Sequence, residues 1–362
     1  MRRYKEMTTS HFLGPDTARP LQQHACALSG RAEVLRDTIE PQLELLQELR
    51  SRHVLSIRDF NAPILKQLFR QAAEYETRAT GEKQAQGRIL SNIYFDRSRE
   101  RTRLSFNTAW LRLGGSLLDF ERSLDEIIGK RHAPAEIAEI CSNYSDIAVL
   151  RTMESESLEE ILQFIRVPVI NAGNGADEHP THAMADLYTL FKWRPELLAD
   201  KVPAESRLSI AIAGNPADTG TLSSLLFGLA LFPQAVEKIV LFGQTRSPLA
   251  KDQQEILEQS GIQVVMASDL YPKETALGIA KSVLPETDLV YVHYLHPVHA
   301  SRLALLETAE HLKQDAMVLN PQIHDENFAQ LFNDSPHNGY FAQARGNVFV
   351  HMALYASLLG ND

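Results

Sequence analysis

The chain has 362 residues, with 36 Lys and Arg against 46 Asp and Glu and a formal net charge of −10 at pH 7. That acidic balance excludes bulk nucleic-acid binding, which needs a dominant basic surface. A hydrophobic content of 44% with 23% charged residues is ordinary for a soluble globular protein, and the length suits two domains of roughly 150 residues each.

Residues 1–52 read as an extension. Up to about Ser29 it is polar and mixed; from Arg31 to Arg50 the apolar spacing and the Glu/Arg content predict a packing helix interrupted near Pro41. The start, MRRYKEMTTSHFLGPD, has no apolar run long enough for a signal peptide, and no segment reaches the ~20 apolar residues of a membrane span. The two cysteines, Cys26 and Cys141, are too few for a disulfide framework or a zinc cluster. A cytoplasmic protein without membrane contact is expected.

From His53 strands and helices alternate. The pattern predicts a helix over 61–76, a strand at 89–94, a helix carrying Leu104, Phe106, Trp110 and Leu113, and a short strand at 116–120. A helix over 134–144, a strand at 147–150, a helix over 156–165, a strand at 167–170 and a helix over 181–192 follow. Strands separated by helices imply a parallel sheet covered on both faces. The stretch WRPELLADKVPAES marks a boundary, and the alternation restarts at Arg207 with LSIAIAG, a turn at 215–220 and a helix to Leu231. Further strands are predicted at 238–242, 263–266, 288–292 and 316–319. The expectation is an α/β fold of two doubly wound parallel-sheet domains, 53–192 and 193–345, with a last helix from 346 packing back on the first.

The chemistry gathers where strands end. Between the strand at 89–94 and its helix lies a polar turn, Asp96 to Thr102, with Arg97, Arg99, Arg101 and Arg103 in or beside it. A helix start offers unpaired N–H groups and the positive end of the macrodipole, so with these arginines it forms an electrostatic well for phosphate or a carboxylate. A solvated basic turn is the plainer reading of such a sequence, but the carboxyl end of a strand is where open α/β sheets place ligands. The strand DIAVL delivers Arg151, and VPVINAG leads to Asn174 and then Glu178-His179-Pro180-Thr181-His182 at a helix start. Arg101, Arg151 and His179 are expected to converge on one anion and a neighbouring carbonyl; taken singly, a histidine such as His179 is more often a satisfied structural one. The turn after LSIAIAG lacks the G-x-G-x-x-G spacing of a dinucleotide site.

Together RTRLSFNTAWLRLGG, VINAGNGADEHPTHAMADLYTL and GYFAQARGNVFVHMALYASLL resemble the aspartate/ornithine carbamoyltransferase superfamily, its aspartate branch in particular, from about His53 to Leu359. The resemblance implies two α/β domains joined by interdomain helices and a homotrimer with active sites between subunits. It also implies carbamoyl transfer from carbamoyl phosphate to a small amine, with no cofactor or metal. In the family a Ser-Thr-Arg-Thr-Arg turn binds phosphate, and its last three residues survive as Arg101, Thr102 and Arg103. Arg151 matches the arginine that helps hold the phosphoryl and carbonyl oxygens. His179, from the His-Pro-Thr-Gln motif, matches the histidine that hydrogen-bonds the carbonyl oxygen. Gly129-Lys130-Arg131 resembles the loop lent by an adjacent subunit, with Arg131 at the lysine position.

The departures concern specificity. The phosphate turn reads Ser98-Arg99-Glu100-Arg101-Thr102-Arg103, one residue longer than the family's: either Ser98 fills the serine place with an insertion behind it, or Arg99 and Glu100 replace serine and threonine. A carboxylate at Glu100 repels a dianion unless the extra arginines neutralise it. The motif's glutamine is His182. On the second-substrate side, Gly220 stands where the family has a carboxylate-gripping arginine, Tyr294-Leu295-His296 replaces an Arg-x-Gln clamp, and Asn320-Pro321-Gln322-Ile323 replaces His-Pro-Leu-Pro. Losing two guanidinium groups removes the bidentate contacts suited to a dicarboxylate. The expectation is therefore a carbamoyltransferase whose acceptor is not ordinary aspartate, with Tyr294, His296, His299 and Gln322 lining the acceptor pocket. The alternative is a catalytically inactive homologue with a structural or regulatory role.

Overall fold

A computed structural model describes residues 28, 30–78, 83–95, 100–118, 133–153, 155–242, 249–270, 276–293, 309–321, 332 and 335–360. Its elements, in chain order, begin with α1 (Arg31–Thr38), α2 (Ala62–Thr77), β1 (Ile89–Tyr94), α3 (Glu100–Arg112), β2 (Ser116–Leu118), α4 (Ala133–Tyr144), β3 (Ile147–Thr152), α5 (Ser155–Leu162), β4 (Val169–Asn174) and α6 (Pro180–Trp193). There follow β5 (Leu208–Ala213), α7 (Gly220–Ala230), β6 (Val236–Phe242), α8 (Lys251–Ser260), β7 (Gln263–Met266), α9 (Ala267–Leu270), α10 (Ala276–Val283), β8 (Leu289–Val292), β9 (Met317–Leu319) and α11 (Tyr340–Leu359).

Among the described residues the strands form two parallel sheets, ordered β2-β1-β3-β4 and β7-β6-β5-β8-β9. Their apolar runs explain why. In β3, Ile147 and Val149 face one core cluster while Ala148 and Leu150 face another. In β5, Leu208, Ile210 and Ile212 are divided in the same way from Ala211 and Ala213. A strand buried on both faces has no place for alternating polar residues, which is the signature of a sheet with helices on both sides.

The largest core is shared by both sheets. It runs from Leu90 and Val149 through Phe69, Tyr188 and Tyr355 on helices α2, α6 and α11 to Ile210 and Ile212. The helix α11 packs against α2, α3 and α6. It begins at Tyr340, six residues before the start that the sequence pattern suggests, and Gly346 passes close to the Tyr188 ring within it. In α3, Phe106, Trp110 and Leu113 are fully buried, but Leu104 is 60% exposed. Two residues separate Leu104 from Phe106, a rotation of about 200° round a helix, so the two occupy opposite faces.

Strand order fixes where a ligand meets the fold. In the first sheet the order reverses between β1 and β3, whose paired carboxyl ends are Tyr94 and Arg151. In the second it reverses between β5 and β8, ending at Ala213 and Val292. Crevices outside such switch points are the ligand positions of open α/β sheets.

Candidate active site

Arg151, near the end of β3, donates from Nη1 to the Ala172 carbonyl at 2.6 Å. His179 is the residue before α6 and is 6% exposed, and Pro180 at the first helical position fixes the entry of the chain. Its N–H donates to Ser224 Oγ at 2.9 Å, and its Nδ1 lies 3.5 Å from Thr181 Oγ1. Between the two side chains runs the backbone of Gly173, with φ of +116°. A Cβ there would lie 2.6 Å from Arg151 Nη1 and 3.4 Å from His179 Cδ2. The missing side chain is what lets a guanidinium and an imidazole share one spot.

Arg101 and Thr102, in the first turn of α3, line a cavity of about 290 Å³ together with His179, His182, Pro321 and the α11 residues Tyr340, Gln343 and His351. Arg101 Nη1 donates to Tyr340 Oη at 2.6 Å, so its guanidinium is turned towards α11. Tyr94, at the end of β1, is buried, and burial raises its phenol far above the ordinary range, against the pull of Arg151 and Arg103. Of the other residues singled out in the sequence, Ser98, Arg99, Arg131, Tyr294, His296, His299 and Gln322 lie outside the described residues, as does the side chain of Glu100.

Beside His179 lies a buried hub that the sequence pattern missed. Glu178 is 1% exposed. Its carboxylate accepts from Ser56 Oγ at 2.5 Å, Ile57 N–H at 3.1 Å, Arg58 Nε at 3.0 Å and Ser224 Oγ at 2.9 Å. Arg58 continues to Asp252 at 3.3 Å and stacks 4.6 Å from the Phe227 ring. One carboxylate thus joins the chain segment before α2 to helix α7, next to the histidine of interest. Gly220, the first residue of α7, completes the contact: a Cβ there would meet the Glu178 backbone at 2.8 Å. The only forewarning was an acidic residue directly before His179.

His182 is also accounted for. Its Nε2 lies 3.7 Å from Asp186 Oδ1, one helical turn on, and its ring centre is 5.3 Å from that of His179. Asp186 accepts from Tyr291 Oη at 2.7 Å and from the Gln343 amide. Burial raises its carboxyl above the usual range. Among the described residues no group of His, Cys, Asp and Glu is arranged to hold a metal ion, and no helix is long and apolar enough to cross a membrane.

The arrangement can hold an anion with Arg151 and polarise an adjacent carbonyl with His179. Known proteins resemble the chain in sequence and in fold. The family described as aspartate/ornithine carbamoyltransferase, carbamoyl-P binding domain, matches residues 52–192. The aspartate carbamoyltransferase catalytic subunit of Methanopyrus kandleri is 30% identical over 326 residues, covering 86% of this chain and 98% of that relative. The corresponding subunit of Methanobrevibacter smithii is 30% identical over 336 residues, covering 87% and 96%. Aspartate transcarbamoylase from Trypanosoma cruzi, solved in complex with N-(phosphonacetyl)-L-aspartic acid, has the same fold, with a TM-score of 0.72 at 24% identity over 87% of this chain and 97% of that one. By sequence and by fold, the chain belongs to the aspartate/ornithine carbamoyltransferase family.

Proposed function

We propose that this protein transfers a carbamoyl group from carbamoyl phosphate to the amine of an amino-acid-like acceptor other than ordinary aspartate. The observation that carries the donor half is the meeting of Arg151 and His179 over Gly173, where His179 lines the same cavity as Arg101 and Thr102. Arg151 and Arg101 hold the phosphate, Thr102 adds a hydroxyl donor, and His179 donates to the carbamoyl oxygen as negative charge develops on it. The amine attacks the carbamoyl carbon and the C–O bond to phosphate breaks. Positioning and electrostatic stabilisation supply most of the acceleration. The Trypanosoma cruzi relative has been solved with carbamoyl phosphate, which supports the same donor here.

The acceptor half rests on Gly220. Its Cβ position is already filled by the Glu178 backbone, so neither the family's arginine nor any other side chain fits there in this arrangement. Without that guanidinium a second carboxylate has lost its bidentate partner. Tyr294, His296 and Gln322 form the acceptor pocket in this reading, and Arg131 reaches the donor from a neighbouring subunit of a homotrimer. Ser98, Arg99 and Glu100 retune the phosphate turn.

Calorimetric titration with carbamoyl phosphate, followed by a ureido-product assay across a panel of amines that includes aspartate and ornithine, tests the reading. Donor binding with ureido product from an amine other than aspartate is expected. Carbamoylaspartate as the main product sinks the acceptor half. Absence of both donor binding and product replaces the reading with that of an inactive homologue, which the closed Gly220 contact equally suits.

A further inference from the structure

The inner wall of the cavity holds a second imidazole to which carbamoyl-donor binding assigns no task. His182 sits in the first turn of α6 beside His179 and lines the cavity, with its side chain 16% exposed and its Nε2 turned towards Asp186. The spacing of four residues puts both groups on one helix face. Asp186 cannot swing away: it is buried and held by Tyr291 from β8 and Gln343 from α11. At 3.7 Å the carboxylate lies beyond hydrogen-bond distance of Nε2 and acts on the ring through its charge and fixed position.

The surroundings favour a proton-accepting role. The groups around the ring are His179 and Asp186 on its own helix, Tyr291 behind Asp186, Gln343 and His351 on α11, and Arg101 and Tyr340 across the cavity. His351 is stacked on Phe106, with centroids 3.7 Å apart at 4°. Burial and the neighbouring His182 push it down to about 3, against a smaller opposing pull from the Ser105 backbone, so it stays neutral. Gln343 Oε1 and both His351 ring nitrogens are buried without a hydrogen bond of normal geometry. This wall therefore carries an amide oxygen that can accept and a neutral imidazole with one donor and one acceptor nitrogen.

We propose that His182, with Asp186 one helical turn behind it, is the general base that takes the proton from the attacking amine; the proposal rests on the carbamoyl-transfer reading. The amine lone pair forms the C–N bond at the carbamoyl carbon, and an N–H proton passes to the cavity-facing nitrogen of His182. The electron pair of the C–O bond leaves with phosphate, which then collects the proton from His182. Asp186 is a positioning residue in this scheme.

The test follows ureido formation from pH 5.5 to 9.5 in the full-length protein, alongside carbamoyl phosphate calorimetry. The wild-type kcat falls on the acid side as the base protonates. In His182→Gln that limb disappears and kcat at neutral pH drops by about a hundredfold, with a much smaller change in donor affinity. Added imidazole restores part of the rate to His182→Ala, and Asp186→Asn moves the acid limb without abolishing it. An unaltered limb in His182→Gln, no imidazole rescue, or donor binding by the wild type without product from any amine each overturns the proposal. His182→Asn serves where the glutamine variant does not fold. Wild-type protein that fails to bind carbamoyl phosphate instead defeats the parent reading, so the two failures are distinguishable.

Discussion

The guanidinium of Arg151 and the imidazole of His179 approach each other across Gly173, and each would touch a β-carbon placed on that glycine, at 2.6 Å and 3.4 Å. The two side chains come from different strand ends. Their convergence depends on the register that aligns β3 with β4, in which Thr152 pairs with Asn174 beyond an irregularity after Leu150.

Gly173→Ala is expected to damage this pair specifically. The φ of +116° strains any L side chain, at a cost of about 1–3 kcal/mol, and the new methyl displaces Arg151 from the Ala172 carbonyl. Carbamoyl phosphate affinity falls by about tenfold or more while circular dichroism keeps its native shape. A variant that binds the donor like wild type would show that the shared spot is not the donor site.

Gly220→Arg restores the residue type that the family carries, yet it should not restore an aspartate site. Its β-carbon enters the Glu178 backbone at 2.8 Å, and backbone cannot give way as a flexible side chain can. Overpacking at such a contact costs about 1–3 kcal/mol, so a lower unfolding midpoint without carbamoylaspartate formation is expected. Normal stability together with carbamoylaspartate in the product assay would refute the steric argument.

Much of the fold could be read from the chain because strands buried on both faces have little room for alternating polar residues: IAVL and LSIAIAG are mainly apolar and lie in parallel sheets as expected. Arg151 could be singled out as a polar residue directly after an apolar run, and His179 as the residue at the helix start that follows one. The Glu178 hub was not, since its partners Ser56, Arg58 and Ser224 are separated from it by 122, 120 and 46 residues. No local pattern records such pairings. His351 was hidden differently: it lies in an almost wholly buried helix beside Val350, Met352 and Leu354, where periodicity marks every position as core and cannot say which one borders a cavity.

Helices α2 and α6 are pinned by a buried charge pair, which Arg345 of α11 approaches at 3.6 Å. Lys192 Nζ donates to both oxygens of Glu76 at 3.0 and 2.9 Å, Tyr188 Oη adds a bond at 2.6 Å, and both charged side chains are 1% exposed. Burial lowers the Lys192 pKa, and Glu76 opposes the shift. Glu76→Gln leaves an ammonium buried without its counter-charge, which costs about 3–5 kcal/mol. The double variant Glu76→Leu with Lys192→Met removes both charges and should recover part of that loss. Urea unfolding of both variants checks the order; a single variant as stable as the double would mean that water reaches Lys192.

His351 gives the protein an acid-side weakness. In the folded chain burial holds its pKa at about 3, whereas an unfolded histidine titrates near 6.5. Below pH ~6.5 the unfolded chain binds a proton that the folded chain refuses, so the stabilising contribution is complete above that pH and declines as pH falls towards 3. The decline amounts to about 1.4 kcal/mol per pH unit well inside the window. Asp186, whose carboxyl burial raises, acts with the opposite sign and is common to both proteins in the comparison. His351→Gln should therefore be less steeply destabilised than wild type between pH 6 and 4.5, measured as the pH dependence of the urea midpoint. Parallel slopes would mean that His351 gains a proton in the folded state, and its stacking on Phe106 would then be that of an imidazolium.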